Sequence, residues 1–340
     1  MSDTTPPAKR QRRSSATEDT TPIRSHIWKP FGDIVLQSEY TQFRVSRDIL
    51  ANQSPVFADM FTVPQPPNEP QVDGCPLVLL SGDIPKDWDL LLELLYSGRF
   101  VTVDDDVLST RQLSAALRLG RKYRFDKAFR DAVGRFHSEF PTDLDQWYKS
   151  RGKLNTIRAV TFPYSITLWG LLIEAHMFGI TKSIPAIALE CLCVDSMETV
   201  IAGIERLDKS RIILPPALRD MLVVGFARIL QFQVNKYSWL HDTSVIPSRL
   251  CVRKAACIRA RHNLYHRLSR CEHANAYGKH DVRIFAFDVW EPDPVGEPEF
   301  CDKCAKAVEQ AFDASRREAW ECLPGFFGLA GWDKLKDACE

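Results

Sequence analysis

The sequence predicts an α+β domain followed by a mostly α-helical one, and three observations carry that reading. A strand-like run near residue 31 is followed by a second near residue 43. Apolar residues then recur at helical spacing as far as Phe136. Beyond about residue 160 the helical period alone dominates. At about 150 residues per domain, 340 residues accommodate two such units. The boundaries expected are a tail over 1–26, an α+β domain over 27–140 and a helical domain over 141–340.

The tail is rich in Thr, Pro, Ser and charge and has no apolar periodicity, so it is expected to be disordered. Within it Lys9, Arg10, Arg12 and Arg13 place four cations in five residues. Such a run suits the acidic groove of a nuclear import receptor, the alternative being a solvated tail. Phe31 to Leu36 reads as a strand, and Tyr40 to Val45 as its hairpin partner. Ile49-Leu50, Val56-Phe57 and Met60-Phe61 follow a helical period, with Ser54-Pro55 as N-cap and first-turn proline. Pro64 to Pro76 holds five prolines and reads as a loop or insertion. Leu77 to Leu80 reads as a strand. Asp87 to Tyr96 reads as a largely buried helix stopped at Ser97-Gly98. Two more helices are expected over Thr110 to Tyr123 and Asp126 to Phe136.

In the second half, Leu168, Leu171, Leu172, Ala175 and Gly179 obey the i, i+3, i+4, i+7 rule. Further helices are expected over about 184–194, 196–206, 215–234, 248–268 and 302–321, the last ending before Pro324. The closing stretch Phe326 to Trp332 is too apolar to lie free in water and should dock back on the domain.

Composition narrows the function. Lys plus Arg and Asp plus Glu both number 44, so no whole-molecule basic field of the ribosomal type exists. The start of the chain has no apolar segment of secretory type, and Ile166 to Ile180 is too short and polar to span a bilayer. A nuclear or cytoplasmic protein is expected, with neither secretion nor a membrane. No GxGxxG, Walker-type loop, HExxH or GxSxG occurs, so no enzyme is expected, no catalytic residue is nominated and no organic cofactor is assigned.

The motifs of the first half resemble a BTB/POZ domain. They are Phe31-Gly32-Asp33-Ile34-Val35-Leu36, Phe43-Arg44-Val45, Asp48-Ile49-Leu50-Ala51, Ser54-Pro55-Val56-Phe57, Met60-Phe61 and Leu91-Leu92-Glu93-Leu94-Leu95-Tyr96-Ser97-Gly98. Asp33, Leu50, Ser54, Phe57, Phe61, Tyr96 and Gly98 stand at its signature positions. The resemblance implies a non-catalytic protein-interaction module that commonly homodimerises. It also implies a buried carboxylate at Asp33. Two positions depart from the pattern: Ser46 replaces the usual histidine of Val-His-Arg, and Phe61-Thr62-Val63-Pro64 lacks the acid of the motif used by cullin-recruiting domains, the nearest being Glu69. The second half, with Cys301-Asp302-Lys303-Cys304, Arg316-Arg317, Leu323-Pro324, Phe327-Gly328-Leu329 and Trp332, resembles a lineage of BTB proteins abundant in mushroom-forming fungi.

Seven of the ten cysteines fall after residue 250. Cys301-x2-Cys304 has the spacing with which two thiolates grip one tetrahedral Zn²⁺. Cys251 and Cys257 are the first choice for the remaining ligands of one structural zinc, with Cys271 and His273 as the alternative pair. Packed thiols are the competing reading, because buried cysteine behaves as a small hydrophobe. A redox motif would need a βαβ setting. From Arg249 to Arg270 seven Lys or Arg occur without an acid. This run could face phosphates or, as the preferred reading, be balanced by the acidic 281–302 stretch. Three functions follow in rank order: an interaction scaffold, a substrate adaptor of a cullin-type ubiquitin ligase, and a nuclear DNA-associated regulator.

Overall fold

The computed structural model describes residues 21–64, 70–97, 107–159, 164–205, 209–269, 284–289 and 300–338. Lys9, Arg10, Arg12, Arg13, Glu69, Gly98, Cys271 and His273 lie outside the described residues.

The first half opens with β1 (Ile23–Trp28), β2 (Ile34–Ser38) and β3 (Thr41–Val45). The β2–β3 hairpin is antiparallel, pairing Ile34 with Val45 and Leu36 with Phe43. All four side chains are buried, as the alternation predicts. β1 starts inside the stretch expected to be tail, so the tail is shorter than expected. Its sequence, Ile-Arg-Ser-His-Ile-Trp, is held mainly by polar partners rather than by alternating apolar burial. Ser25 Oγ donates to Asp89 at 2.7 Å, and His26 Nε2 lies 2.9 Å from Glu93. Only Ile27 is fully buried, which removes the hydrophobic signal.

α1 (Arg47–Gln53) and α2 (Pro55–Thr62) follow, and Ser54 caps α2 by accepting from Phe57 N at 3.2 Å. β4 (Gln71–Val72) and β5 (Cys75–Leu79) complete a sheet of order β1-β3-β2-β5-β4. The proline-rich loop therefore contains a strand and the start of another. α3 (Pro85–Ser97), β6 (Leu108–Ser109), α4 (Thr110–Tyr123) and α5 (Asp126–Glu139) cover the sheet. α4 begins where expected because Ser109 and Gln112 form a reciprocal capping box. An aromatic cluster cements the layers: the Phe57 ring lies 5.2 Å from Tyr123, 5.8 Å from Phe125 and 5.9 Å from Trp88.

The second half comprises α6 (Leu144–Ser150), β7 (Ile157–Arg158), α7 (Tyr164–Phe178), α8 (Ile184–Val194), α9 (Met197–Ala202), β8 (Ile204–Glu205), β9 (Arg211–Ile212), α10 (Pro216–Lys236), α11 (Lys254–Ser269) and α12 (Asp302–Phe326). No loose linker separates the halves. β7 pairs in parallel with β6, and the buried Glu139 carboxylate accepts from the backbone N–H groups of Asn155, Thr156 and Ile157. Arg118 of α4 grips Asp87 bidentately at 2.7 and 2.9 Å and reaches Glu174 of α7 at 3.3 Å.

α12 runs through Pro324, beyond its expected end. A proline inside a helix leaves the carbonyl four residues earlier without its donor. That carbonyl is Trp320 O, and the Trp332 indole N–H fills the vacancy at 2.7 Å, with the two rings stacked at 5.3 Å. Trp332→Phe keeps the stack and deletes the donor. A loss of about 1 kcal/mol is expected in denaturant unfolding, and an unchanged midpoint would exclude this role. The tail then runs back to the first domain, where His137 Nε2 and Asp337 Oδ2 meet at 2.6 Å. Burial alone would raise the Asp337 carboxyl, but His137 and the Lys182 N–H outweigh it and hold it below the usual carboxylate range. Gly225 of α10 faces the Phe327 ring so closely that a Cβ there would meet ring carbons at 2.4 Å. Only glycine fits that crossing.

Candidate metal centre and interaction domain

Four cysteines from two distant stretches converge beside the starts of two helices. Cys251 sits in a turn closed by its N–H on Ser248 O at 3.0 Å. Cys257 lies in the first turns of α11, Cys301 is the N-cap of α12, and Cys304 is in the first turn of α12. Their sulfurs all lie within 4.8 Å of one another, with Cys257, Cys301 and Cys304 buried and Cys251 half-buried. The Cys251 and Cys301 sulfurs are 3.8 Å apart. Zinc–sulfur bonds of about 2.3 Å set tetrahedral thiolates about 3.8 Å apart.

The surroundings also suit thiolates. Ser248 N–H points at the Cys304 sulfur at 3.4 Å, and Cys301 N–H at the Cys257 sulfur at 3.4 Å. Burial pushes the Cys257 thiol up to about 12 and raises Cys304 as well. At Cys301 burial also acts upward, but the N–H groups of Cys304 and Val252 and the neighbouring thiols outweigh it and bring the thiol down to about 6. The N–H donors thus favour a thiolate at Cys301. A soft dication is the partner that would ionise the others. Spacing nominated Cys301 and Cys304, with Cys251 and Cys257 as the first choice for the other pair; nothing in the sequence pointed to Ser248, whose N–H and hydroxyl both reach Cys304.

The basic run beside them is not one open face. Arg261 is buried and donates to Ile246 O at 3.0 Å. Of the acids expected to balance this run, Asp288 pairs with Arg151 at 3.3 Å. Most of the remaining acids of the 281–302 stretch lie outside the described residues. Cys191 is fully buried in α8, as a packing residue should be.

The first half offers a different kind of site. Ile23, Tyr40 and Leu79 are exposed together at one end of the sheet, where Ile23 N–H bonds Tyr40 O and Leu79 pairs with Gln37. At the opposite end Phe31 is 97% exposed. Exposed apolar groups clustered on a sheet end mark a contact surface. Against known families, residues 26–132 match the model of the BTB/POZ domain. This segment is a BTB/POZ domain. No curated protein matches the chain.

A BTB/POZ domain is a protein-interaction domain, and its signature residues here are structural. Leu50 and Phe57 are core residues. Tyr96 accepts from Ser46 N–H at 2.9 Å, tying α3 to the start of α1 across the position where the usual histidine is missing. Phe61 packs on Phe57 with ring centroids 5.9 Å apart. Asp33 is exposed rather than buried: it accepts from Arg47 N–H at 2.8 Å and so caps α1, whose own N-cap, Ser46, makes no side-chain bond. Buried carboxylates of the BTB/POZ domain are instead Asp87, held by Arg118, and Asp83, which receives the Trp88 indole N–H at 2.9 Å, the Tyr123 hydroxyl at 2.6 Å and Lys122 Nζ. Among the described residues no helix is long and apolar enough to cross a membrane.

Proposed function

We propose that this chain is a non-catalytic scaffold. Its BTB/POZ domain pairs with a second copy, and its helical half, held by one structural zinc on Cys251, Cys257, Cys301 and Cys304, presents further docking surface. The observation that carries the scaffold reading is the BTB/POZ domain with its open apolar sheet end. A self-complementary patch is most readily covered by a symmetric copy of itself. For the zinc, the support is the all-sulfur donor set at tetrahedral spacing, with backbone N–H groups aimed at its sulfurs. Zn²⁺ with four thiolates carries a net charge of −2, and the exposed Arg249 and Lys254 beside it offset that charge.

Light scattering of the full chain tests the pairing. Twice the chain mass is expected across the micromolar range, and Tyr40→Glu with Leu79→Glu should return it to the single-chain mass. A single-chain mass for the unaltered protein at every concentration would overturn the pairing.

A further inference from the structure

A cleft of about 550 Å³ opens where the α4–α5 turn meets the C-terminal end of α7. Phe129 and Phe178 line it, with ring centroids 6.3 Å apart. Arg121, Arg124 and Arg130 line it too, and Asp126 is the one acid among the described lining residues.

These guanidiniums are weakly engaged. Arg121 donates to Met177 O at 3.3 Å, Arg124 to the Asp126 carboxylate at 3.5 Å and Arg130 to Asp126 O at 3.2 Å. Each guanidinium carries five N–H donors, so three long bonds leave most of that capacity to water. By contrast, Arg118, one turn away on α4, is held bidentately by Asp87.

Two backbone features add to the positive field. α5 starts at this cleft with no side-chain cap on Phe125, so its first N–H groups are not satisfied by a side chain there. Arg124 itself has φ +54°, a left-handed conformation that glycine would adopt without strain. Strain of this kind gathers at functional positions. Here it places a third cation on the cleft.

We propose that this cleft binds a phosphorylated segment of a partner protein, with the phosphoryl group on Arg121, Arg124 and Arg130 and a neighbouring apolar side chain against Phe129 and Phe178. Three arginines and one aspartate give a lining charge of +2. A phosphomonoester brings about −1.5 to −2 at neutral pH. The guanidinium fork matches phosphate oxygens pairwise. A single carboxylate would leave half the lining charge unanswered. The proposal rests on the scaffold reading and names one class of partner for it.

The test is fluorescence anisotropy of the full chain with labelled peptide pools. Each pool holds one central phosphoserine in degenerate flanks, with matched pools carrying serine or glutamate. A single-stranded oligonucleotide and vesicles of anionic phospholipid serve as other anions. The phosphoserine pool should bind at least about tenfold more tightly than the serine pool. Arg124→Ala with Arg130→Ala should lose that preference. Asp126→Asn, which removes the opposing charge, should tighten binding about two- to fivefold. Arg219→Ala with Arg259→Ala, equal in charge change but not part of the cleft lining, should leave it unaltered. Equal binding of phosphorylated and serine pools, or tighter binding of the oligonucleotide or the vesicles, would overturn the proposal. So would an unaltered preference in the double arginine variant, or no gain in Asp126→Asn. Light scattering of the same samples reads BTB/POZ pairing separately, so a failed cleft is distinguishable from a failed scaffold.

Discussion

Purified full-length chain should carry one zinc per molecule by metal analysis, and stripping it with a chelator should melt much of the helical half. Structural zinc in small sites contributes apparent free energies of about 10–16 kcal/mol. Even about 4 kcal/mol of that would lower the melting midpoint by roughly 8–16 °C in a domain of this size. The loss should be large because the four thiols tie the start of α11 to the start of α12. Cys251 lies just before α11 and Cys257 in its first turn, while Cys301 caps α12 and Cys304 lies in its first turn, so losing the metal frees both helix starts at once. Cys257→Ser should abolish the metal and reproduce the chelator effect, whereas Cys322→Ser, on an exposed cysteine, should do neither. Metal-free chain that is folded and indifferent to chelator would end the zinc reading.

The second large effect is a pH dependence seated between α7 and α8. Glu190 is buried, with Tyr164 Oη donating to it at 3.1 Å. Burial is the dominant influence and raises its carboxyl from 4.5 to about 7, although Tyr164 and the nearby Arg151 pull the other way. The native chain therefore keeps a proton that the unfolded chain has released. The contribution is fully present below pH 4.5 and is lost as pH rises to about 7. At about 1.4 kcal/mol per pH unit, the swing is about 3 kcal/mol. Asp195, raised by burial to about 6 despite the Trp169 and Ser165 donors, acts in the same direction. Glu190→Gln keeps an oxygen for Tyr164 and cannot ionise. It should match the unaltered chain near pH 4.5 and exceed its stability by up to about 3 kcal/mol at pH 8. Parallel stability curves for the two proteins across that range would refute the assignment.

Much of the fold was legible because burial and period coincide in it. The β2–β3 hairpin alternates, α4 is bounded by a capping box, and α8 begins at Ile184-Pro185 and ends at Val194 where its apolar run ends. What escaped has particular causes. β1 is held by Asp73, Asp89 and Glu93, partners 49 to 67 residues away, so its own sequence looks like tail. β6 and β7 are two-residue strands, too short for any period to register. α12 runs on through its proline, and Trp332 returns a donor to the carbonyl that the proline leaves open. Asp33 lies at the end of an apolar-looking turn yet stays in water, since its work is to cap α1 from outside.

The cysteine cluster was readable in part for the opposite reason. Thiol chemistry needs few residues, and Cys-x2-Cys announces itself. Cys251 and Cys257 are the sequence's first choice for the second pair, ahead of Cys271 and His273, and the structure brings those sulfurs alongside. The arginine cleft left no such trace, because its aromatic floor joins residues 129 and 178 and its cations sit among other cations on α4 and α5.

The return of the chain end to His137 bears on how the molecule is made. The partners of that contact are 200 residues apart, so during synthesis the first domain emerges from the ribosome long before Asp337 exists. For that interval the clasp on α5 is missing and Thr181, Lys182 and Gly179 wait without the tail atoms they will bond.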